Sequence, residues 1–137
     1  TAILRMQTST DGSSYAITTG SSIYATRNTP AAVAALFAQT GESRNGDNTG
    51  MQDIGYASSN DSADYLSGTI DLYNPADTSL NKLALSQTLQ WNNDLGAASV
   101  VAPMIINSTT AITAVKFAYS SGNIVSGDFI LYGIKES

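Results

Sequence analysis

The side chains that could carry out chemistry in this 137-residue chain are almost all oxygen donors. It contains nine Asp and two Glu but no His and no Cys, which excludes imidazole acid–base catalysis, thiol nucleophiles, zinc sites and disulfide bonds. Asp71 and Asp128 have the most apolar sequence neighbours, and glycoside hydrolysis requires a pair of carboxylates. Both alternate with apolar residues, so we predict that they face solvent. We predict that the chain is not an enzyme, with a hydrolase as the alternative.

Two polar segments, residues 42–50 and 57–64, contain oxygen ligands of the kind that bind calcium. Neither has the alternating ligand positions, the glycine pivot and the final bidentate carboxylate of a dedicated calcium loop. The chain also lacks a Gly-x-Ser-x-Gly elbow, a phosphate-binding loop and a dinucleotide-binding turn. We therefore predict no bound metal and no cofactor, and we interpret both segments as solvated turns.

The aromatic residues are the remaining candidates for a binding site. Trp91 and the seven tyrosines could stack on sugar rings and form a carbohydrate-binding face. The same residues at alternating positions of strands are also typical of a core or a subunit contact, because Tyr and Trp combine a large apolar body with one polar group. The sequence leaves both interpretations open.

Charge and composition narrow the class of partner. The formal charge is −5, which argues against a basic nucleic-acid footprint, and no apolar run is long enough for a membrane-spanning helix. Charged residues make up only 12% of the chain, whereas Ser and Thr together number 33. A surface of hydroxyls and amides suits lasting contact with other proteins because little charge has to be desolvated. Low charge is equally typical of a stable β-rich protein.

The hydrophobic pattern indicates one domain, residues 1–137, built mainly from short strands. Residues 65–73 and 82–91 alternate between apolar and polar positions, as half-buried strands do. One segment instead predicts a short helix near residues 30–39, because Thr29 can cap it, Pro30 suits its first turn and Gly41 can end it. Seven or eight strands with one helix predict an all-β, antiparallel β-sandwich or barrel.

The last two predicted strands, residues 111–118 and 128–134, are apolar at both odd and even positions. A two-layer sandwich buries only one face of a strand, so the second face needs cover from the helix or from another subunit. We therefore predict a homo-oligomer, with Phe129, Ile130 and Tyr132 as candidate interface residues.

Three segments of the chain match a known pattern. Residues 108–115 read STTAITAV and residues 121–135 read SGNIVSGDFILYGIK, while residues 8–15 read TSTDGSSY. The ending resembles that of small virion proteins of tailed bacteriophages, in which an A-I-T strand precedes a G-N-I and an L-Y-G-I motif. The resemblance implies a β-sandwich of jelly-roll type that assembles on a virion, commonly as a homotrimer, and implies no activity.

Members of that family include decoration, head-fibre and tail-fibre proteins. A fibre requires a shaft, and shafts are recognised by heptads, collagen triplets or β-helix repeats, none of which is present. We therefore expect a capsid decoration, or cement, protein that is made in the host cytoplasm and binds the major capsid protein on the outer virion surface. The alternative is a receptor- or glycan-binding tip domain of a phage fibre.

Overall fold

A computed structural model describes residues 2–28, 34–38, 44–58, 61–92 and 96–134, and these residues form ten strands and no helix. The strands are β1 (Ala2–Ser9), β2 (Thr19–Ser21), β3 (Tyr24–Asn28), β4 (Ala34–Ala38), β5 (Arg44–Asn48), β6 (Gln52–Ser58), β7 (Tyr65–Tyr73), β8 (Lys82–Asn92), β9 (Gly96–Ile106) and β10 (Ala114–Tyr119). Every pairing between them is antiparallel. The prediction of an all-β, antiparallel protein is therefore confirmed.

The strands form two sheets. The small sheet has the order β10-β1-β6, with β1 in the centre. In the large sheet, β9 pairs with β8 along its whole length, and its other edge is shared by β3 and β2. Beyond them, β4 pairs with β3 and β5 pairs with β2. At the opposite edge of the large sheet, β7 pairs with β8. Two antiparallel sheets packed face to face are compatible with a β-sandwich.

The space between the sheets holds a mixed core. One apolar cluster consists of Leu4, Met6, Ile54, Ala84, Met104 and Ile106, and a second consists of Ile23, Ala25, Tyr56, Ala98, Val100 and Ala102. Within this core, polar side chains of β8 in the large sheet also hydrogen-bond to the backbone of β6 in the small sheet. Gln90 accepts from the Tyr56 amide at 2.9 Å and donates to the Ala57 carbonyl at 2.9 Å. These bonds join the two sheets, in addition to the apolar contacts.

The buried face of β8 is the polar one. Ser86, Thr88 and Gln90 are buried, whereas Leu83 and Leu89 are 56% and 64% exposed. Lys82 is also buried, and its ammonium donates to the carbonyls of Leu80, at 2.7 Å, and Ser108, at 3.1 Å. The polar face of β8 can be buried in place of its leucine-rich face because each buried polar group named here has a hydrogen-bond partner, so burial does not leave it unsatisfied. The leucines are left facing away from the small sheet.

The prediction of a helix near residues 30–39 is wrong over its central part. Ala34–Ala38 form β4, which pairs with β3 from Tyr24 opposite Ala38 to Asn28 opposite Ala34. Alanine has the highest helix propensity, but propensity is a weak determinant of structure, and pairing with an adjacent strand overrides it here. The flanking positions 29–33 and 39–43, including the predicted cap and stop residues, lie outside the described residues.

The C-terminal strands also differ from the sequence pattern. The segment predicted as a strand over residues 111–118 begins at Ala114 as β10. The following segment, residues 121–134, contains no strand and is exposed along its whole length; we call it the C-terminal arm. None of the backbone hydrogen bonds found outside the strands of the described residues involves the arm. The final predicted strand is therefore unpaired in the isolated chain.

Candidate protein-binding surfaces

The carboxylates of the described part of the chain are dispersed. No group of three or more Asp or Glu is close enough there to hold a metal ion. Asp71 lies exposed on β7 and Asp128 lies exposed on the C-terminal arm. In the first segment considered for calcium, residues 42–50, Arg44–Asn48 form β5. In the second, residues 57–64, Asp61 accepts a hydrogen bond from the Ala63 amide at 2.9 Å in a turn. No helix capable of crossing a membrane occurs among the described residues.

Two carboxylates in loops organise turns. Asp11 Oδ1 accepts hydrogen bonds from the Ser14 amide at 2.7 Å and the Ser13 amide at 2.8 Å, and these bonds lower the pKa of Asp11 to about 2. Asp77 accepts from the amides of Ser79 and Leu80, which lowers the pKa of that carboxyl as well. Backbone amides stabilise the charged form of a carboxylate. Both groups therefore fix loop geometry.

One carboxylate is buried and paired. Asp53 on β6 is fully buried, and its Oδ1 accepts a hydrogen bond from Nε of Arg5 on the adjacent β1. Asp53 Oδ2 is buried and makes no hydrogen bond. The pair holds two neighbouring strands of the small sheet together. Because Asp53 is inaccessible, we assign it a structural role.

The most extensive candidate surface is the side of the large sheet that faces away from the small sheet. Residues directly opposite each other on paired strands point to the same face. The register therefore brings together on this side Tyr24, Tyr65, Tyr73, Leu83, Leu85, Leu89, Trp91, Val101, Pro103 and Ile105. We call this surface the outer face. Exposed apolar side chains on it include Tyr65, Leu83 and Leu89, interspersed with polar residues such as Ser67 and Gln87. A concentration of exposed apolar side chains on a folded protein is typical of an interaction site.

One end of the outer face forms a cleft. Tyr65 and Trp91 lie directly opposite each other on β7 and β8, and with Leu89 they line a cleft of about 720 Å³. Polar groups at its margin include Asn28 and Ser67. Aromatic rings beside a few amides and hydroxyls are the arrangement that an amphipathic ligand such as a sugar requires. Trp91, singled out in the sequence for this reason, therefore lies in a concave site.

The second candidate surface is the C-terminal arm, which carries the three residues predicted from the sequence as an interface. Phe129, Ile130 and Tyr132 are 55%, 70% and 80% exposed, so they are accessible to a partner. The Phe129 ring stacks on that of Phe117 in β10, with ring centroids 4.6 Å apart and an angle of 16° between the rings. This contact attaches the middle of the arm to the small sheet, and the residues beyond it project into solvent.

The outer face could not be found from the sequence because alternation does not say which side of a strand is buried. Leu83, Leu85 and Leu89 are what a buried face normally contains. The sequence signal that could have identified the buried side of β8 lies at its even-numbered positions. Every residue there except Ala84 has a side chain that can form hydrogen bonds to a facing strand.

No family model, no curated protein and no solved structure matches this chain.

Proposed function

We propose that this chain is a structural protein of a bacteriophage virion, and specifically a capsid decoration protein that binds and stabilises the outer shell. The observation that carries the proposal is the outer face together with the C-terminal arm. Both are apolar, and both are exposed in the isolated chain, which is the surface expected of a subunit that functions in permanent contact with other proteins. The resemblance of residues 108–115 and 121–135 to small phage virion proteins supports the class of assembly.

The physical mechanism of stabilisation requires no covalent or metal chemistry. With charged residues at only 12% of the chain, association with a shell subunit desolvates few charges. A protein that binds only the assembled shell stabilises that shell by mass action, and many weak contacts add up to a large effect. We expect a homotrimer of jelly-roll type, because the resemblance to small phage virion proteins implies both. The two antiparallel sheets are compatible with this architecture, and the exposed arm offers apolar surface to a further copy.

The proposal is tested by adding the purified protein to undecorated capsids of the corresponding phage. We expect saturable binding that increases the resistance of the shell to heat and osmotic shock. A parallel experiment with a chelator should give the same result, because we propose no metal in the contact. Absence of binding to the capsid, combined with attachment to host cells, would contradict the decoration role and favour a receptor-binding tip.

A glycan-binding tip domain is the second candidate, and the cleft at Tyr65 and Trp91 is the observation that favours it. Trp91 is the only tryptophan in the chain, so its fluorescence reports directly on that cleft. Titration with oligosaccharides representative of the host surface should change the emission if the cleft binds sugar. Calorimetry is needed for Trp91→Ala because this variant lacks the fluorophore; loss of binding there, with binding retained in a Tyr15→Ala control away from the cleft, would establish the site. An unchanged emission would argue against this candidate.

A further inference from the structure

The cleft at Tyr65 and Trp91 has a floor of small side chains. β9 runs along its middle, where Ala97 and Ser99 are the residues on the outer face. Ala97 lies directly opposite Trp91, and Ser99 lies opposite Leu89. Because the side chains of β8 are large at the positions where those of β9 are small, this end of the sheet is concave. The sequence of β9 therefore determines where the cleft lies.

The two walls of the cleft differ in chemistry. The wall on the β8 side is aromatic and apolar, as described above. The wall on the β3 side is polar, because Asn28 lies opposite Ala97 and Thr26 lies opposite Ser99, and both polar side chains are exposed. A ring-shaped ligand with an apolar face and hydroxyls around its edge can stack on the first wall and hydrogen-bond to the second. A sugar ring has this construction.

The side chains that face into the cleft are uncharged. No carboxylate is among the described residues that line it, and Arg27 is the only charged one. Alternation along β3 places the Arg27 side chain on the same side of the sheet as the buried Ala25, away from that of Thr26. Gln90 lines the cleft with its backbone in the same way, since its side-chain amide bonds to β6 across the core. The cleft therefore offers a ligand neutral hydrogen-bonding groups.

The cleft is also short. One step further along β9, Val101 takes the place of the small residues, between Gln87 of β8 and Tyr24 of β3. Val101 and Tyr24 are 39% and 52% exposed, so they close this end of the cleft. Ala97 and Ser99 lie about 7 Å apart along the strand, and β8 and β3 lie about 10 Å apart. This space suits a single ring, whereas an extended peptide requires a groove that continues along the strand.

We propose that the cleft binds one neutral hexose ring of a saccharide, with the ring stacked on Trp91 and its hydroxyls hydrogen-bonded to Thr26 and Asn28. This assignment rests on glycan binding, the second candidate function, and adds to it the class of sugar and the residues that recognise it. An uncharged ring forms no ion pair, so binding should be insensitive to salt. A carboxylate or an ammonium group on the ring gains no partner in the cleft.

The first test compares neutral and charged sugars on the full wild-type chain. Methyl glucoside and methyl galactoside are the neutral probes, and the corresponding uronides and amino sugars each carry one charge. The emission of Trp91, the only tryptophan, is recorded during each titration. We expect a saturable change with at least one neutral probe, at low and at high salt, and no tighter binding of its charged counterparts. Tighter binding of a uronide would show that Arg27 reaches the ligand and would overturn the neutral assignment.

The second test uses variants that keep Trp91 as the reporter. Ala97→Leu fills the floor, so we expect the dissociation constant of the neutral probe to rise at least about tenfold. Ala76→Leu, at an exposed alanine outside the cleft, is the matched control. Thr26→Val removes one hydroxyl from the polar wall and should weaken binding about three- to tenfold, whereas Thr69→Val, on β7 outside the cleft, should not. Circular dichroism checks that each variant is folded.

The outcomes separate this site from the function on which it rests. If oligosaccharides bind and Ala97→Leu binds them as wild type does, the sugar lies elsewhere, so the site is refuted while the role of a glycan-binding tip stands. If Ala97→Leu loses binding and Thr26→Val keeps it in full, recognition by the polar wall is refuted. A chain that binds an extended peptide in the cleft and no sugar would overturn both the site and the tip role. The decoration role is measured on capsids and does not depend on these results.

Discussion

The hydroxyl of Ser86 on β8 donates a hydrogen bond to the backbone carbonyl of Ile54 on β6, with 3.0 Å between the two oxygens. The bond crosses from one sheet to the other inside the core. Thr88 and Gln90 make comparable bonds to β6, so the interior is joined by a row of polar contacts. This row explains why the hydroxyl-rich side of β8 is buried and the leucine-rich side is available for binding.

Replacement of Gln90 by leucine should destabilise the fold. Gln90→Leu keeps the side-chain volume but removes the bonds to Tyr56 and Ala57, and a net contribution of about 1 kcal/mol for each bond predicts a loss of about 2 kcal/mol in the free energy of unfolding. The matched control is Gln87→Leu, on the exposed side of the same strand. Denaturant titration measures both variants, and equal stability of the two would contradict the role of the polar row.

Loss of Arg5 should leave Asp53 as an unpaired buried carboxylate. We expect Arg5→Met to lower the free energy of unfolding by about 2 to 4 kcal/mol, less than for a wholly buried pair because the Arg5 side chain is 24% exposed. The double variant Arg5→Met with Asp53→Leu removes the charge as well and should recover most of the loss. Thermal unfolding of the three proteins checks this order, and a single variant as stable as wild type would refute it.

Acid should weaken the turn that contains Asp11. Its pKa is about 2 in the folded chain against 3.8 for the free group, so the carboxylate stabilises the turn above pH 3.8, and this contribution is lost as the pH falls from 3.8 to 2. In Asp11→Asn this contribution to the pH dependence disappears. Unfolding free energies recorded across that window should depend less steeply on pH in the variant than in wild type, and an unchanged pH dependence would contradict the role of Asp11.

Gly68 on β7 is required by the close approach of β8. A Cβ atom at this position would lie 2.3 Å from the Gln87 carbonyl oxygen and 2.9 Å from Cα of Thr88. Because both neighbours are backbone atoms, Gly68→Ala must displace β7, at a cost of about 1 to 3 kcal/mol. Gly133→Ala is the control, since nothing lies within 4 Å of its added methyl group. A Gly68→Ala variant with the wild-type unfolding midpoint would disprove the contact.

The sequence predicts the class of the fold because Thr, Ile, Tyr and Val recur at alternating positions, and this period-two pattern is typical of half-buried strands. It does not predict which parity of β8 is buried, because this depends on the β6 carbonyls that Ser86 and Gln90 meet across the core. It also predicts a helix where Ala34–Ala38 pair with β3, since neighbouring strands are not visible to local propensity. The candidate interface residues Phe129, Ile130 and Tyr132 were chosen because a two-layer sandwich covers only one face of a strand, and the structure shows that all three are exposed; their role in an interface stays a prediction.

The exposed C-terminal arm also affects how the chain must be produced. Phe129, Ile130, Leu131 and Tyr132 form an uninterrupted run of high β-propensity without charge or proline, which is the composition that promotes cross-β aggregation. Asp128 and Gly133 flank the run and act as gatekeepers, since a charge and a glycine both disfavour stacking of identical segments. In the isolated chain, these two residues limit the stacking of the exposed run. If the arm is covered in the proposed assembly, we expect the tendency to form fibrils to fall.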